Sequence, residues 1–145
     1  MNFVFIMTDT QNKSMVGAYG NRAVGTPNLD RLAEEGIRFE RAYTACPLCT
    51  PARVAIFSGL HPQVNGAHCN NVAPSAKVPL MGDIFRSFGY RAGYTGKWHL
   101  DGGDYFGDGI PGGGCEPDWW YDGKRYSEDI GDLFAHYKKV RTGEE

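Results

Sequence analysis

The sequence has no excess of charge of one sign. Its 145 residues include 15 lysines and arginines and 17 aspartates and glutamates, which gives a formal net charge of -2. Proteins that bind nucleic acid or an anionic membrane surface through broad electrostatic attraction need a basic excess. We therefore expect no nucleic-acid partner and no membrane partner, and any bound anion must be held by a local site.

Long hydrophobic runs are also absent from the sequence. No apolar stretch approaches the roughly 18 residues that are needed to span a bilayer. The opening residues, MNFVFIMTD, have neither a basic region nor a small-residue cleavage site, so they do not look like a secretory signal. As written, the sequence predicts a cytoplasmic protein, while a trimmed start would leave a periplasmic or secreted location open.

Cysteine is scarce, and the four cysteines are too unevenly spaced to indicate a disulfide scaffold. Cys46 and Cys49 form the motif CPLC, which occurs in zinc sites and in redox dithiols. A zinc site would need further ligands from His61, His68 or Cys69, and their spacing fits no common zinc finger. The segment before the motif does not suit a thioredoxin-like fold. A non-catalytic zinc-binding or structural module that uses Cys46 and Cys49 stays open as an alternative.

The composition favours a folded globular domain, with 41% hydrophobic and 13% aromatic residues. Strand-like and helix-like segments alternate along the first hundred residues, which predicts an α/β fold with a mostly parallel sheet between helices. The predicted strands are FVFIMT, IRFERAYT and YRAGYTG, and the predicted helices lie in GTPNLDRLAEEG, in CTPARVAIFSG and in PLMGDIFRSFG. In the first of these helices, we expect Thr26 at the N-cap, Pro27 at the first helical position and Gly36 at the end.

The last third of the chain has a different character. Residues 101–123 are rich in glycine, aspartate and aromatic residues, and they predict a long loop. Its Trp119 and Trp120 either pack under the loop or line a sugar subsite. Ser127 then marks the expected N-cap of a final helix. We find no linker that divides the chain into two domains.

A more specific interpretation takes Cys49 alone. This residue stands just ahead of a helix that Pro51 is expected to open, where free backbone N–H groups and the helix dipole stabilise an anion. Arg53, one turn later, can point back toward that anion and bind two of its oxygens. These are the parts of an oxyanion site with a nucleophile at its centre.

The segment CTPAR, followed by VAIFSG, resembles the signature of the type I sulfatases, the formylglycine-dependent, arylsulfatase-like branch of the alkaline phosphatase superfamily. The resemblance extends to FIMTD, to YGNRAVGTPNLDRLAEEGIRFERAYT and to GYTGKWHL, in the family's order and up to Leu100. It identifies residues 1–145 as the N-terminal part of a sulfatase catalytic domain with an alkaline phosphatase-like α/β core. Because family members are several times longer, we expect no activity from these residues alone.

The resemblance implies a hydrolase of sulfate monoesters. Its substrate would be a sulfated small molecule or carbohydrate. Cys49 would be oxidised to formylglycine by a formylglycine-generating or sulfatase-maturating enzyme, and the hydrated aldehyde would attack sulfur. Lys97 and His99 match a lysine and a histidine that bind the sulfate group and stabilise the nucleophile, and Asn70 matches a substrate-contacting asparagine of some relatives. We also expect Arg53 to be catalytic.

The resemblance also implies a divalent cation, with Ca²⁺ as the first choice, held by Asp9 and by the modified Cys49. The sequence departs from the family beside this position, because many sulfatases have a second aspartate where this chain has Thr10. Relatives that act on phosphonate or phosphate esters also lack that aspartate. Hydrolysis of phosphonate or phosphate esters is therefore the alternative within the same chemistry.

Overall fold

The structure is a computed structural model that describes residues 1–103 and 105–143. In chain order its elements are α1 (Pro27–Glu35), α2 (Cys49–Ser58), α3 (Pro62–Asn65), α4 (Met81–Ser87), β1 (Tyr94–Gly96), β2 (Trp120–Asp122) and α5 (Gly123–Thr142). Contacts divide the chain into two compact units, residues 1–43 and 44–145. Among the described residues, no helix combines the length and the apolar character that a membrane crossing requires.

The first unit is organised around Asp30 on α1. One carboxylate oxygen, Oδ1, accepts the backbone N–H of Ala18 at 2.6 Å and the hydroxyl of Thr26 at 3.0 Å. The Thr26 hydroxyl in turn accepts the N–H of Gly17 at 2.7 Å. Thr26 and Pro27 hold the predicted N-cap and first helical positions, but the Thr26 side chain makes no bond to the amides of its own helix. It connects α1 to the turn at Gly17 instead.

Two predicted strands are not formed. Residues 3–8 and 37–44 have no regular secondary structure, and their large apolar side chains are mostly exposed, with Val4 at 84% and Ile37 at 83%. A strand exists only through ladder hydrogen bonds to a neighbour, and no described segment pairs with either run. The apolar run at residues 3–8 and the alternating pattern at residues 37–44 therefore gave the wrong prediction, because neither pattern supplies a pairing partner.

The second unit contains a parallel pair of strands. Strand β1 pairs with β2 in the register Tyr94↔Trp120, Thr95↔Tyr121 and Gly96↔Asp122. The predicted strand YRAGYTG is confirmed at its last three residues, and the predicted helix at 79–89 is confirmed as α4. Strand β2 lies inside the segment that was predicted to be a loop, so that prediction is wrong at residues 120–122. Helices combined with a parallel sheet make this an α/β structure.

Four aromatic rings pack against one another in the second unit, and three of them, Phe57, Trp98 and Trp120, are buried. Trp98 makes edge-to-face contacts with Phe57 of α2, Tyr94 of β1 and Trp120 of β2, with ring centroids 5.6, 4.9 and 4.8 Å apart. Tyr94 also stacks on Trp120 at 5.1 Å. Trp120 is 2% exposed. It therefore packs in the core and does not line a sugar subsite, whereas Trp119 is 48% exposed.

Helix α5 begins earlier than expected. Its N-cap is Asp122, whose carboxylate accepts the N–H of Arg125 at 3.0 Å, and the hydroxyl of Ser127 donates instead to the carbonyl of Lys124. The predicted cap at Ser127 is therefore wrong. Because Asp122 is the last residue of β2, the strand fixes the cap in place, and the helix starts directly after it.

The same aspartate holds the glycine-rich segment against the strands. The second carboxylate oxygen of Asp122, which is fully buried, accepts the N–H of Gly109 at 2.8 Å. Gly107 has a φ of +102°, and a Cβ there would lie 2.5 Å from that oxygen. A Cβ at Gly113 would lie 2.9 Å from the Trp98 ring. Glycine is thus required where the segment passes close to Asp122 and Trp98.

Replacing Asp122 should destabilise the fold. We expect Asp122→Ala to lower the free energy of unfolding by about 3 kcal/mol, because it removes a helix cap and leaves the partly buried N–H of Gly109 without its acceptor. Asp122→Asn keeps one acceptor oxygen and should lose less. Urea denaturation would measure both, with the exposed Asp118→Asn as the control. Equal stability of Asp122→Ala and the control would contradict the capping role.

Candidate active site

The site begins at the first turn of α2. Cys49 is the first residue of this helix and is half-buried, so the helix starts two residues before the predicted opening at Pro51. Pro51 is compatible with the first turn, because the N–H that it lacks would have no partner within the helix. At the other end, Gly59 closes α2 in the left-handed region, with a φ of 69°.

Two asparagines hold this first turn. The side-chain oxygen of Asn70 accepts the N–H of Thr50 at 3.0 Å, which satisfies one of the free donors at the start of α2. The Thr50 hydroxyl, fully buried, accepts the N–H of Asn71 at 3.3 Å. Asn70 therefore positions the turn that carries Cys49. Its predicted contact with a substrate stays a prediction.

Arg53 connects α2 to the segment that carries the other predicted site residues. The side chain is 6% exposed, and its Nη1 donates to the backbone carbonyl of Lys97 at 2.7 Å. The hydroxyl of Tyr94 donates to the same oxygen. The predicted binding of two anion oxygens by Arg53 is not tested, and one of its donors is used to fix the backbone at Lys97.

The hydroxyl of Tyr94 stays protonated in this arrangement. Burial raises the pKa of Tyr94 above its usual value, and this effect exceeds the opposing influence of the neighbouring Arg53 guanidinium, its charge first and its hydrogen bond second. At neutral pH the phenol is therefore a hydrogen-bond donor to the Lys97 carbonyl. It is not a candidate base.

Lys97 and His99 are brought together by one aromatic ring. The ammonium nitrogen of Lys97 lies 3.3 Å from the centroid of the Tyr105 ring, and the His99 ring centroid lies 5.1 Å from that of Tyr105. His99 is buried, and its Nε2 lies 2.7 Å from the side-chain oxygen of Asn71. A cation over the face of a tyrosine is attracted to the ring. Tyr105 thus contacts both residues that were predicted to bind sulfate.

Asp9 and Thr10 belong to the first unit. Asp9 is exposed, and Thr10 has a left-handed φ of 55°. Within residues 1–103 and 105–143, no three side chains of His, Cys, Asp or Glu form a group that could hold a metal ion. The assignment of Asp9 and Cys49 to one cation stays a prediction, and the zinc alternative at Cys46 and Cys49 gains no support.

Cys115 lies in a partly buried environment near acidic side chains. Burial, followed by the nearby Asp83 carboxylate, raises the pKa of the Cys115 thiol to about 11. Its thiolate is therefore scarce at neutral pH, and Cys115 is a poor nucleophile and a poor metal ligand.

Three residues of this site were not identified from the sequence: Asn71, Tyr94 and Tyr105. Tyr94 lies in a predicted strand, where an aromatic residue indicates packing. Asn71 follows Asn70 directly, and an asparagine at such a position is typical of a turn, so the sequence assigned no role to Asn71. Tyr105 lies in the glycine-rich segment, and only the folded path of that segment places its ring against Lys97.

Comparisons with known proteins agree on one family. The family model described as Sulfatase matches residues 1–133. The chain is 48% identical over 133 residues to the uncharacterized sulfatase YidJ of Escherichia coli strain K12, covering 89% of this chain and 26% of that protein. It is 33% identical over 135 residues to the N-acetylglucosamine-6-O-sulfatase of Bacteroides thetaiotaomicron, covering 88% and 24%. It therefore spans about a quarter of the length of these two curated relatives.

A solved structure is also similar. The crystal structure of yidJ from Bacteroides fragilis matches with a TM-score of 0.56 and 36% sequence identity, over 60% of this chain and 20% of that one. This match confirms the predicted α/β class and agrees with an alkaline phosphatase-like core.

Asn70 offers a test of its role at the start of α2. We expect Asn70→Ala to lower the free energy of unfolding by about 1 kcal/mol, because the N–H of Thr50 loses its acceptor. Asn70→Asp keeps an acceptor oxygen and should retain the stability. Chemical denaturation would measure both variants, with Asn28→Ala, exposed on α1, as the control. An unchanged stability of Asn70→Ala would leave only a substrate role for this side chain.

Proposed function

The chain belongs to the sulfatase family, and we propose on that basis that the whole protein hydrolyses sulfate monoesters with residue 49, as formylglycine, supplying the nucleophile. The observation that supports the proposal most directly is the link between α2 and the GKWHL segment. Cys49 opens α2, and Arg53, one turn later, donates to the carbonyl of Lys97 at 2.7 Å. The candidate nucleophile and the candidate sulfate-binding residues are thereby parts of one connected arrangement.

The proposed reaction proceeds through a covalent sulfate on residue 49. One hydroxyl oxygen of the hydrated aldehyde loses its proton and forms a bond to sulfur. The bond between sulfur and the ester oxygen breaks, and this oxygen takes up a proton and leaves as the alcohol. The second hydroxyl then loses its proton, the aldehyde C=O bond re-forms, and the bond between carbon and the sulfate oxygen breaks. Water hydrates the aldehyde again. A cysteine thiol or a serine lacks this second hydroxyl, and its sulfate ester would have to be hydrolysed directly.

Backbone and side-chain groups of the second unit suit an anionic ester. The start of α2 places the positive end of the helix dipole beside residue 49. However, Asn70 already accepts the N–H of Thr50, and Pro51 has no N–H to donate. Lys97 brings a cationic side chain to the site, and the His99 ring lies against the same Tyr105 ring. Tyr105 holds the Lys97 ammonium beside His99. We assign sulfate binding to Lys97 and His99 for this reason.

We further propose a divalent cation with Asp9 among its ligands. A carboxylate is the hard oxygen donor that Ca²⁺ prefers, and Ca²⁺ takes roughly six to eight oxygens, so Asp9 and the modified residue 49 would supply only part of the set. When bound, such a cation would polarise a sulfate oxygen. Within the described residues, no three side chains of His, Cys, Asp or Glu lie together as a metal site. For this reason the reaction steps given above involve residue 49 and no cation.

The names of the relatives support a proposal for the substrate class. They include an N-acetylglucosamine-6-O-sulfatase and an ulvan-active sulfatase, the latter 39% identical over 101 residues. We propose a sulfated carbohydrate or small molecule as the substrate, and a formylglycine-generating or sulfatase-maturating enzyme as the partner that modifies Cys49. In this proposal, Asn70 contacts the substrate and Arg53 acts in catalysis, both near the first turn of α2.

The role of Cys49 can be tested against that of its neighbour in the CPLC motif. We expect Cys49→Ala to lower turnover of an aryl sulfate by at least about a thousandfold, because it removes the nucleophile, while Cys46→Ala keeps most of it. Intact-mass spectrometry of the parent should show a loss of about 18 Da on the peptide that carries Cys49, the change from thiol to aldehyde. Equal losses in both variants, together with loss of bound zinc, would contradict the proposal.

Thr10 gives a reason to test the phosphate and phosphonate alternative. A sulfate monoester carries one negative charge and a phosphate monoester nearly two at neutral pH. From the Lys97 and His99 pattern, we expect kcat/KM to be at least about tenfold higher for nitrophenyl sulfate than for the matching phosphate or phosphonate, which is roughly 1.4 kcal/mol in transition-state binding. Kinetics on the three esters would decide. A preference for phosphorus would mean that Thr10 marks the subfamily.

A further inference from the structure

We propose that Asn71 is a positioning residue, which fixes the tautomer and the orientation of His99 and ties this ring to the turn that carries residue 49. The contacts are independent of the reaction, and only the kinetic consequence rests on the proposed sulfatase function. None of the sequence signals that identified Cys49, Lys97 and His99 assigns a role to Asn71.

Three hydrogen bonds connect the start of α2 with the His99 ring. Asn70 accepts the N–H of Thr50 at 3.0 Å, and the Thr50 hydroxyl accepts the N–H of Asn71 at 3.3 Å. The side-chain oxygen of Asn71 then lies 2.7 Å from Nε2 of His99. Because Thr50 follows Cys49 directly and is fully buried, a shift of Asn71 would disturb the first turn of α2 as well as the ring.

The chemistry of the Asn71 contact selects one tautomer. An amide oxygen can accept a hydrogen bond but cannot donate one, so the short contact requires a proton on Nε2 of His99. In the neutral ring Nδ1 then carries no proton and keeps its lone pair as an acceptor. Asn71 thereby decides which nitrogen of His99 is the donor and which is the acceptor.

Both residues of this pair have an uncommon backbone conformation. Asn71 has a φ of 62° and His99 a φ of 57°, which lie in the left-handed region that residues with a Cβ seldom adopt. Asparagine tolerates this region better than most residues. Such conformations persist only where neighbouring contacts hold them, and they concentrate at functional sites. Here the Asn71 contact and the Tyr105 ring hold His99, which is 3% exposed.

The kinetic consequence follows from proton transfer. If His99 acts on the reacting groups, a ring in the wrong tautomer or orientation would weaken the transition state more than the bound substrate. Loss of the Asn71 oxygen should therefore lower kcat much more than it raises KM. A residue that served only packing would lower the amount of folded protein and leave the kinetics of the folded fraction unchanged.

The experiment compares Asn71→Gly with Asn71→Asp in the whole protein. Glycine adopts a positive φ readily and keeps the N–H to Thr50, so it removes only the side-chain contact, whereas aspartate keeps an acceptor oxygen. We expect Asn71→Gly to lower kcat at least about tenfold with a change in KM below about threefold, and Asn71→Asp to lose less. In a His99→Gln background, Asn71→Gly should have little further effect, because Asn71 acts through His99.

A second readout does not need activity. In protein labelled with ¹⁵N-histidine, the His99 signal, assigned by its loss in His99→Gln, should show a proton on Nε2 in the parent and in Asn71→Asp. It should lose this preference in Asn71→Gly or, if that variant does not fold, in Asn71→Ser, whose hydroxyl is too short to reach the ring. An unchanged tautomer, or additive kinetic losses in the two backgrounds, would overturn the proposal. If the parent protein had no sulfatase activity, only the proposed function would be contradicted. The tautomer measurement would still test the positioning role of Asn71.

Discussion

The backbone carbonyl of Lys97 accepts two hydrogen bonds, one from the guanidinium of Arg53 and one from the hydroxyl of Tyr94, and the candidate site depends on this point. The donors come from α2 and β1, so the oxygen joins the helix of the candidate nucleophile to the strand that leads into the GKWHL segment. A partly buried carbonyl that lost its donors would destabilise the fold. The two donors therefore fix the path of the chain where Lys97 and His99 are presented.

The aromatic cluster of the second unit also helps to position the Lys97 carbonyl. Tyr94 reaches the carbonyl while its ring packs against Trp98 and Trp120, so a single side chain belongs both to the core and to the site. Asp122 ends β2, caps α5 and holds the glycine-rich segment at Gly109. That segment carries Tyr105 to the Lys97 ammonium. The packing that stabilises the unit and the contacts that arrange the site are thus continuous.

Local patterns predicted the helices better than the strands. Capping residues and periodicity identified α1, α2 and α4, because helix hydrogen bonds join residues four apart in sequence. The start of α5 was misplaced because Asp122, the last residue of β2, caps this helix. The start of α2 lies two residues before Pro51, the residue that was expected to open the helix. Residues 3–8 and 37–44 have the composition of strands and are not strands, since their pairing requires a partner that composition does not specify.

Some features of the candidate site were predictable from local sequence, and others depend on the fold. The sequence by itself determined the family resemblance and the Cys49–Arg53 spacing on one helix, because both are local in the chain. Only the tertiary structure decided that Arg53 meets the carbonyl of Lys97, 44 residues away, and that Asn71 meets His99, 28 residues away. Contacts over such separations depend on how the helices, the strands and the glycine-rich segment pack together. For that reason Asn71, Tyr94 and Tyr105 emerge as parts of the site only in the folded chain.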